Sequence, residues 1–228
     1  EQFAWKNRRF ITAAVRIDGN SAFGKEFSAV YYPKFSASWV VSEEPFLANK
    51  SWIPQLKLRS AWGKAGNQPD VFSAIRTYQA KVGHLGNGVV TPQNFGNSDL
   101  KPEVGQEFEI GFDAGLLKQR MAIEFTYYDK KINDAILSIP LKPSGGFPGF
   151  SFVNIGQTRN KGVELAVDVS PLAAKNLGLD LRFTIAKNDS KITDMGGVPP
   201  AIVTFASQYN VQGFAPASFF LKKVVSAT

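Results

Sequence analysis

Cysteine is absent from the 228 residues, so no disulfide frames the fold and no thiolate can act as nucleophile or metal ligand. Neither an oxidising nor a reducing compartment is excluded by that. Long apolar runs are missing too. None approaches the ~20 residues that a spanning helix requires, whereas a spanning strand needs only about 9 to 11, a length several segments reach. Histidine occurs once. His84 stands between Gly83 and Leu85, with no second ligand and no Asp or Cys partner at a recognised spacing. It reads as a solvated loop residue rather than a metal ligand or a base. Residues 1–30 lack the charged start, apolar run and small-residue cleavage site of a signal peptide, which points to a cytosolic protein or to an internal or processed piece.

Acidic charge is the scarcer sign, 19 residues against 26 basic ones, for a formal +7. Such a balance suits an anionic partner, but the basic residues are scattered singly and in pairs such as Arg8-Arg9, Lys130-Lys131 and Lys222-Lys223. With no basic helix and no RNA-binding aromatic motif, they read as solvated strand ends and not as a nucleic-acid interface. The apolar fraction of 44% argues against general disorder and leaves room for one or two domains.

What the chain does have is alternation. Residues 106–114 and 121–128 each place polar and apolar or small side chains on opposite faces, and only residues 115–119 separate them. They predict an antiparallel hairpin with Met121, Ile123, Phe125 and Tyr127 on a greasy face and carboxylates on the other. Further strands are expected at 9–17, 29–41, 55–64, 158–170 and 177–187, with residues 3–5 as the tail of another and 6–8 as a tight turn. Pro33 inside the second of these belongs at a strand end, an edge or a bulge. Residues 66–102, 134–157 and everything from 190 onward read as irregular, with 171–176 as a turn and 219–221 as a short buried strand.

Two environments accept strands of this kind, a soluble antiparallel sandwich serving as a binding module and an outer-membrane barrel with a wet lumen. The connections favour the second. In an antiparallel series alternate connections lie at the same end, and here the long ones fall together on one side and the shorter ones on the other. That is the arrangement of short periplasmic turns and long extracellular loops. The fold expected is all-β, a portion of an antiparallel transmembrane β-barrel.

Particular residues then carry a likeness. Asn97-Ser98-Asp99-Leu100-Lys101-Pro102-Glu103, Glu109-Ile110-Gly111, Tyr127-Tyr128-Asp129-Lys130-Lys131, Asn154-Ile155-Gly156 and Asn160-Lys161-Gly162-Val163-Glu164-Leu165 resemble the C-terminal barrel half of SusC/RagA-type TonB-dependent outer-membrane transporters. Arg16 through Gly24, Phe35-Ser36-Ala37-Ser38-Trp39, Ser42-Glu43-Glu44-Pro45-Phe46, Leu56-Lys57-Leu58-Arg59 and Gly66-Asn67-Gln68 resemble the preceding strands of the same family. The likeness spans roughly residues 8–195, in one order and at sensible spacing. It implies a barrel around an N-terminal plug, a SusD-like surface lipoprotein as lid, and import of oligosaccharides or peptides powered through the TonB complex. It places residues 1–228 in a partial C-terminal barrel region, with the plug, the TonB box and the closing strands absent. Barrels of this kind have about 22 strands, against seven full ones expected here. An open piece would leave two edges of unpaired backbone groups in lipid, each group costing several kcal/mol, so it needs neighbouring strands.

No Ser/His/Asp constellation or phosphate loop accompanies the carboxylates, so no enzyme chemistry and no cofactor are expected. Glu124, Glu164, Asp168 and Arg182 are the candidates for lumen-facing contacts with a transported ligand. Trp39, Trp62, Tyr127 and Phe183 are candidates for interfacial girdles.

Overall fold

The computed structural model describes residues 1–19, 29–47, 50–70, 72–146, 150–174, 176–202 and 207–222. Residues 20–24 of the motif beginning at Arg16, and 147–149 of the Gly/Pro-rich connection, lie outside that set. The strands in chain order are β1 (Gln2–Trp5), β2 (Arg9–Asp18), β3 (Val30–Val40), β4 (Gln55–Asn67), β5 (Thr77–Val82), β6 (Gly88–Asn94) and β7 (Glu103–Leu116). They continue with β8 (Met121–Pro140), β9 (Phe150–Ala174), β10 (Leu177–Asp194), β11 (Ala201–Ile202), β12 (Gln208–Asn210) and β13 (Ser218–Phe219). Among the described residues no helix is long and apolar enough to cross a membrane.

Eight strands form one antiparallel sheet in the order β1-β2-β3-β4-β7-β8-β9-β10, open at both edges among the described residues. Sequential neighbours pair throughout, except that the hairpin β5-β6 is inserted between β4 and β7 and forms a separate two-stranded sheet. The register keeps one side-chain parity per face. Ile11, Ala37, Ser60, Ile110 and Tyr127 follow one another across five strands, and beside them Phe10, Ser38, Arg59, Gly111 and Thr126 occupy the opposite face. A slip of one residue would exchange every pair, so the alternation itself fixes the pairing.

The first of these faces is apolar, and none of the described residues packs over it. Ile110 is 49% exposed and Phe183 58%, although both sit in strand interiors. A soluble sandwich would bury these side chains under a second sheet. The sandwich alternative therefore fails, and a lipid-facing surface accounts for the pattern. On that surface Phe35 stacks on Trp62 at 6.0 Å and Phe112 on Phe125 at 5.6 Å.

The ends of the sheet are sorted. β1 and β2, β3 and β4, β7 and β8, and β9 and β10 are joined at one end, while β2 and β3, β4 and β7, and β8 and β9 are joined at the other. Positive φ at Lys6 and Asn7 (51° and 52°) makes the first of these a tight hairpin turn. The longest short-end connection is held by Glu44, 7% exposed. Its carboxylate accepts hydrogen bonds from Trp39 Nε1 (2.9 Å), Arg8 (3.1 Å) and Arg9 (2.5 Å). Those bonds hold its carboxyl below the ordinary range, the Trp39 bond acting most and the two arginines adding to it, against a smaller opposing effect of burial.

Several expectations need correction. Residues 66–102 are not irregular throughout, since β4 runs to Asn67 and β5-β6 forms a hairpin with His84 exposed at its tip. Residues 134–157 are largely strand: β8 continues to Pro140 and β9 starts at Phe150. That leaves a connection of 141–149, shorter than the 41–54 link at the opposite end. β9 also runs on to Ala174, through the turn expected at 171–176. Beyond 190, β10 reaches Asp194 and β11, β12 and β13 form a small sheet. Phe219 and Leu221 are exposed, not buried. Pro33 pairs with Val15 of β2, while the ladder to β4 begins only at Lys34, so its missing N–H falls where one side of β3 is locally an edge.

Candidate functional site

The face opposite the apolar one carries the chemistry. Arg59 on β4 lies directly across from Gly111 on β7. A Cβ at Gly111 would sit 3.1 Å from the guanidinium carbon and 2.3 Å from the Phe125 carbonyl oxygen. With no side chain there, Arg59 reaches across two strands, Nε to Asp113 Oδ1 at 3.1 Å and NH2 to Thr126 Oγ1 at 2.6 Å. The Glu109-Ile110-Gly111 motif thus supplies the gap that a three-strand polar node requires.

The four residues selected from sequence share this face. Asp168 and Arg182 are direct cross-strand partners with Nε to Oδ1 at 3.6 Å. Both are well exposed, so the pair contributes little stability. Glu124 sits opposite Asp113 and Ala166, and Glu164 opposite Thr126 and Ala186. Both glutamates are exposed and diagonal to each other. Asp113 is engaged by Arg59, which offsets its repulsion of Glu124. The structure therefore brings together all four along one wall, with one ion pair and two open carboxylates.

Sequence reasoning missed a depression of about 400 Å3 higher on the same wall. Its floor is made of small residues, Ala14, Ala61, Gly63, Ala65 and Gly105, and its charged rim of Lys34, Lys130, Glu107 and Glu109. Lys130 Nζ stands 3.5 Å from Glu107. The signal was present in Ala61-x-Gly63-x-Ala65, three small residues at consecutive positions of one face. A concave polar wall with mixed charge can hold a polar ligand by hydrogen bonds and ion pairs. Among the described residues no three His, Asp or Glu side chains are grouped to hold a metal ion.

The motif residues at the long-connection end have a structural task. Asn97 Nδ2 donates to the Phe152 carbonyl at 2.8 Å, and its Oδ1 accepts from Asp99 N at 3.0 Å. Asn154 accepts from Lys101 N (2.8 Å) and donates to Lys101 O (2.7 Å) and Asp134 O (3.0 Å). Glu103 accepts from Ile136 N at 2.7 Å, and Leu100 is 1% exposed. Together they clasp residues 97–103 onto β8 and β9 where the register shifts around Ala135.

With that geometry in view, known proteins are informative. A family model described as TonB dependent receptor-like, beta-barrel matches residues 1–225. TonB-dependent receptor P26 of Formosa agariphila is 31% identical over 205 residues, 86% of this chain and 20% of that protein. TonB-dependent receptor SusC of Bacteroides thetaiotaomicron is 30% identical over 200 residues, 84% of this chain and 20% of that protein. The RagAB peptide importer in its closed-closed state superposes with a TM-score of 0.85 at 20% identity, over 96% of this chain and 24% of that one. The siderophore receptor PirA from Pseudomonas aeruginosa gives 0.55 at 16% identity, over 84% and 35%. The chain spans about one fifth of the length of the curated relatives.

Proposed function

This chain belongs to the TonB-dependent receptor-like beta-barrel family, and on that premise we propose that it is part of the wall of an energised outer-membrane importer of the SusC/RagA type. The family consists of outer-membrane receptors and transporters, not enzymes. Residues 1–228 form a partial C-terminal barrel region, and the plug and closing strands lie elsewhere in a longer protein. The cargo is an oligosaccharide or a peptide, taken up unchanged. A SusD-like surface lipoprotein covers the long-connection end, and the TonB complex supplies energy through the plug.

One observation carries this reading. A single sheet exposes an apolar face across all its full strands, and its other face holds charged, incompletely paired side chains. Lipid outside and water inside satisfy both at once. Glu124, Glu164, Asp168 and Arg182, with Lys34 and Lys130 above them, are the contacts offered to the passing ligand.

The test is uptake by cells carrying the full-length protein, with labelled pools of oligosaccharides and of oligopeptides. One pool should enter, and an uncoupler should stop it. Combining Glu124→Gln, Glu164→Gln and Arg182→Gln should lower uptake while outer-membrane abundance stays constant. Uptake that survives loss of the proton-motive force would sink the energised mechanism. Unchanged uptake in the triple variant would remove these residues from the ligand path.

A further inference from the structure

The apolar stripe of the outward face ends at one level on three adjacent strands. Tyr127, Val163 and Lys187 lie side by side there, then Asp129, Lys161 and Asp189, then Lys131, Arg159 and Lys191 nearest the long connections. These rows hold five cations against two carboxylates. With strands about 4.8 Å apart and same-face residues roughly 7 Å apart, the patch measures on the order of 10 by 14 Å.

Its carboxylates are already occupied. Asp129 accepts from Arg159 Nε at 2.9 Å and NH2 at 2.6 Å, and lies 3.8 Å from Lys161 Nζ. Asp189 is 3.3 Å from Lys191. Asp129 thereby fixes the orientation of Arg159, while three of its five N–H donors stay open among the described residues. Lys131 and Lys187 form no ion pair among the described residues. Immediately below, a depression of about 390 Å3 joins Trp62, Phe108 and Tyr127 to Lys131 and Arg159. Cations sit above aromatic rings, on the lipid-facing side, where the apolar band meets water.

Resting on the outer-membrane barrel reading, we infer that this patch binds the phosphorylated headgroup of an outer-leaflet glycolipid. The open guanidinium N–H groups and the lysines take the phosphate, and the aromatic rim takes the apolar side of the sugar. Charge complementarity selects that occupant: at this depth the available anions are lipid headgroups. A merely solvated strand end needs neither a buttressed arginine nor a ring-lined hollow beneath it.

The experiment is native mass spectrometry of the full-length protein, extracted from membranes in detergent. The probes are bisphosphorylated lipid A, its dephosphorylated form and phosphatidylethanolamine. Bisphosphorylated lipid A should be retained preferentially. Combining Lys131→Gln, Lys161→Gln and Lys187→Gln should weaken retention roughly 160-fold, from the usual contribution of a lysine at an anionic surface taken three times. The arginine versions of the same three positions should restore it, and Lys118→Gln in the opposite-end turn should change nothing. Wild-type retention in the glutamine variant, or equal retention of the dephosphorylated lipid, overturns the inference while leaving the barrel intact. Release of the protein from membranes without detergent instead overturns the barrel reading, and the inference with it. Heat-modifiable migration on gels verifies that each variant is folded.

Discussion

A lysine at position 110 distinguishes a lipid-facing sheet from one that merely faces water. Ile110 is 49% exposed, points outward between Ser60 and Tyr127, and lies six residues above the foot of β7 at Leu116. At ~3.4 Å per residue and a tilt of ~40°, it stands roughly 16 Å above the short-turn end of an apolar band ~25 Å tall. That is within about 4 Å of the midplane, where a lysine costs about 2 to 4 kcal/mol. A value of about 2 to 3 kcal/mol corresponds to roughly 30- to 160-fold in the folding equilibrium. Glu109 is the adjacent residue on the inward face, and Glu109→Lys should cost at most about 1 kcal/mol, because a wet lumen accepts either sign. The assay is urea unfolding of the full-length protein in lipid vesicles, followed by heat-modifiable gel migration. If Ile110→Lys is neutral, or no worse than Glu109→Lys, the assignment of faces is wrong.

Glu44 gives a pH dependence with a defined sign. Its folded carboxyl lies below the ordinary value of 4.5, so its stabilisation is present above that pH and is lost as pH falls through the folded value. Melting profiles should show Glu44→Gln lowering stability at about pH 7 and converging with wild type as acid protonates the folded carboxyl, and parallel curves would refute this. In the clasp, Leu100→Ala should destabilise by about 2 to 5 kcal/mol, as for other fully enclosed leucines. Limited proteolysis should then cut within 97–102 first, and continued resistance there would mean that the clasp is held by other contacts. A Cβ at Gly66 would lie 2.0 Å from the hydroxyl of Tyr32, which is itself 1% exposed. Gly66→Ala should therefore be destabilising alone and far less so in a Tyr32→Ala background, a coupling of about 1 to 3 kcal/mol in a double-mutant cycle. Additive effects would show that the backbone, not the ring, sets the requirement for glycine.

Much of the wall was legible because the sheet has a period of two and its faces differ sharply. Alternation at 9–17, 106–114 and 121–128 placed strands and faces correctly but not the register between strands, and the position of Lys6-Asn7 anticipated the first turn. The placement of Glu124, Glu164, Asp168 and Arg182 on the polar face followed from the same parity. Strand ends were less legible. The apolar signal reports the membrane, and it stops where lipid stops, at the Asp129 and Lys161 level. The hydrogen-bonded ladder has no such reason to stop, so β8 and β9 run on into sequence where apolar residues such as Ile136, Leu137, Phe152 and Val153 no longer alternate with polar ones and Pro140 and Gly156 intervene.

By itself, then, the sequence determined the all-β class, the two faces and the family likeness, since each depends on side chains read along one strand. Only the tertiary structure decided what depends on neighbours across strands. Arg59, Asp113 and Thr126 meet from three strands, the hollow floored by Ala61 and Gly63 exists only where five strands lie side by side, and Asn97 finds Phe152 at a separation of 55 residues. No local pattern encodes such meetings. They arise when the register fixed by an apolar face carries the polar face into place with it.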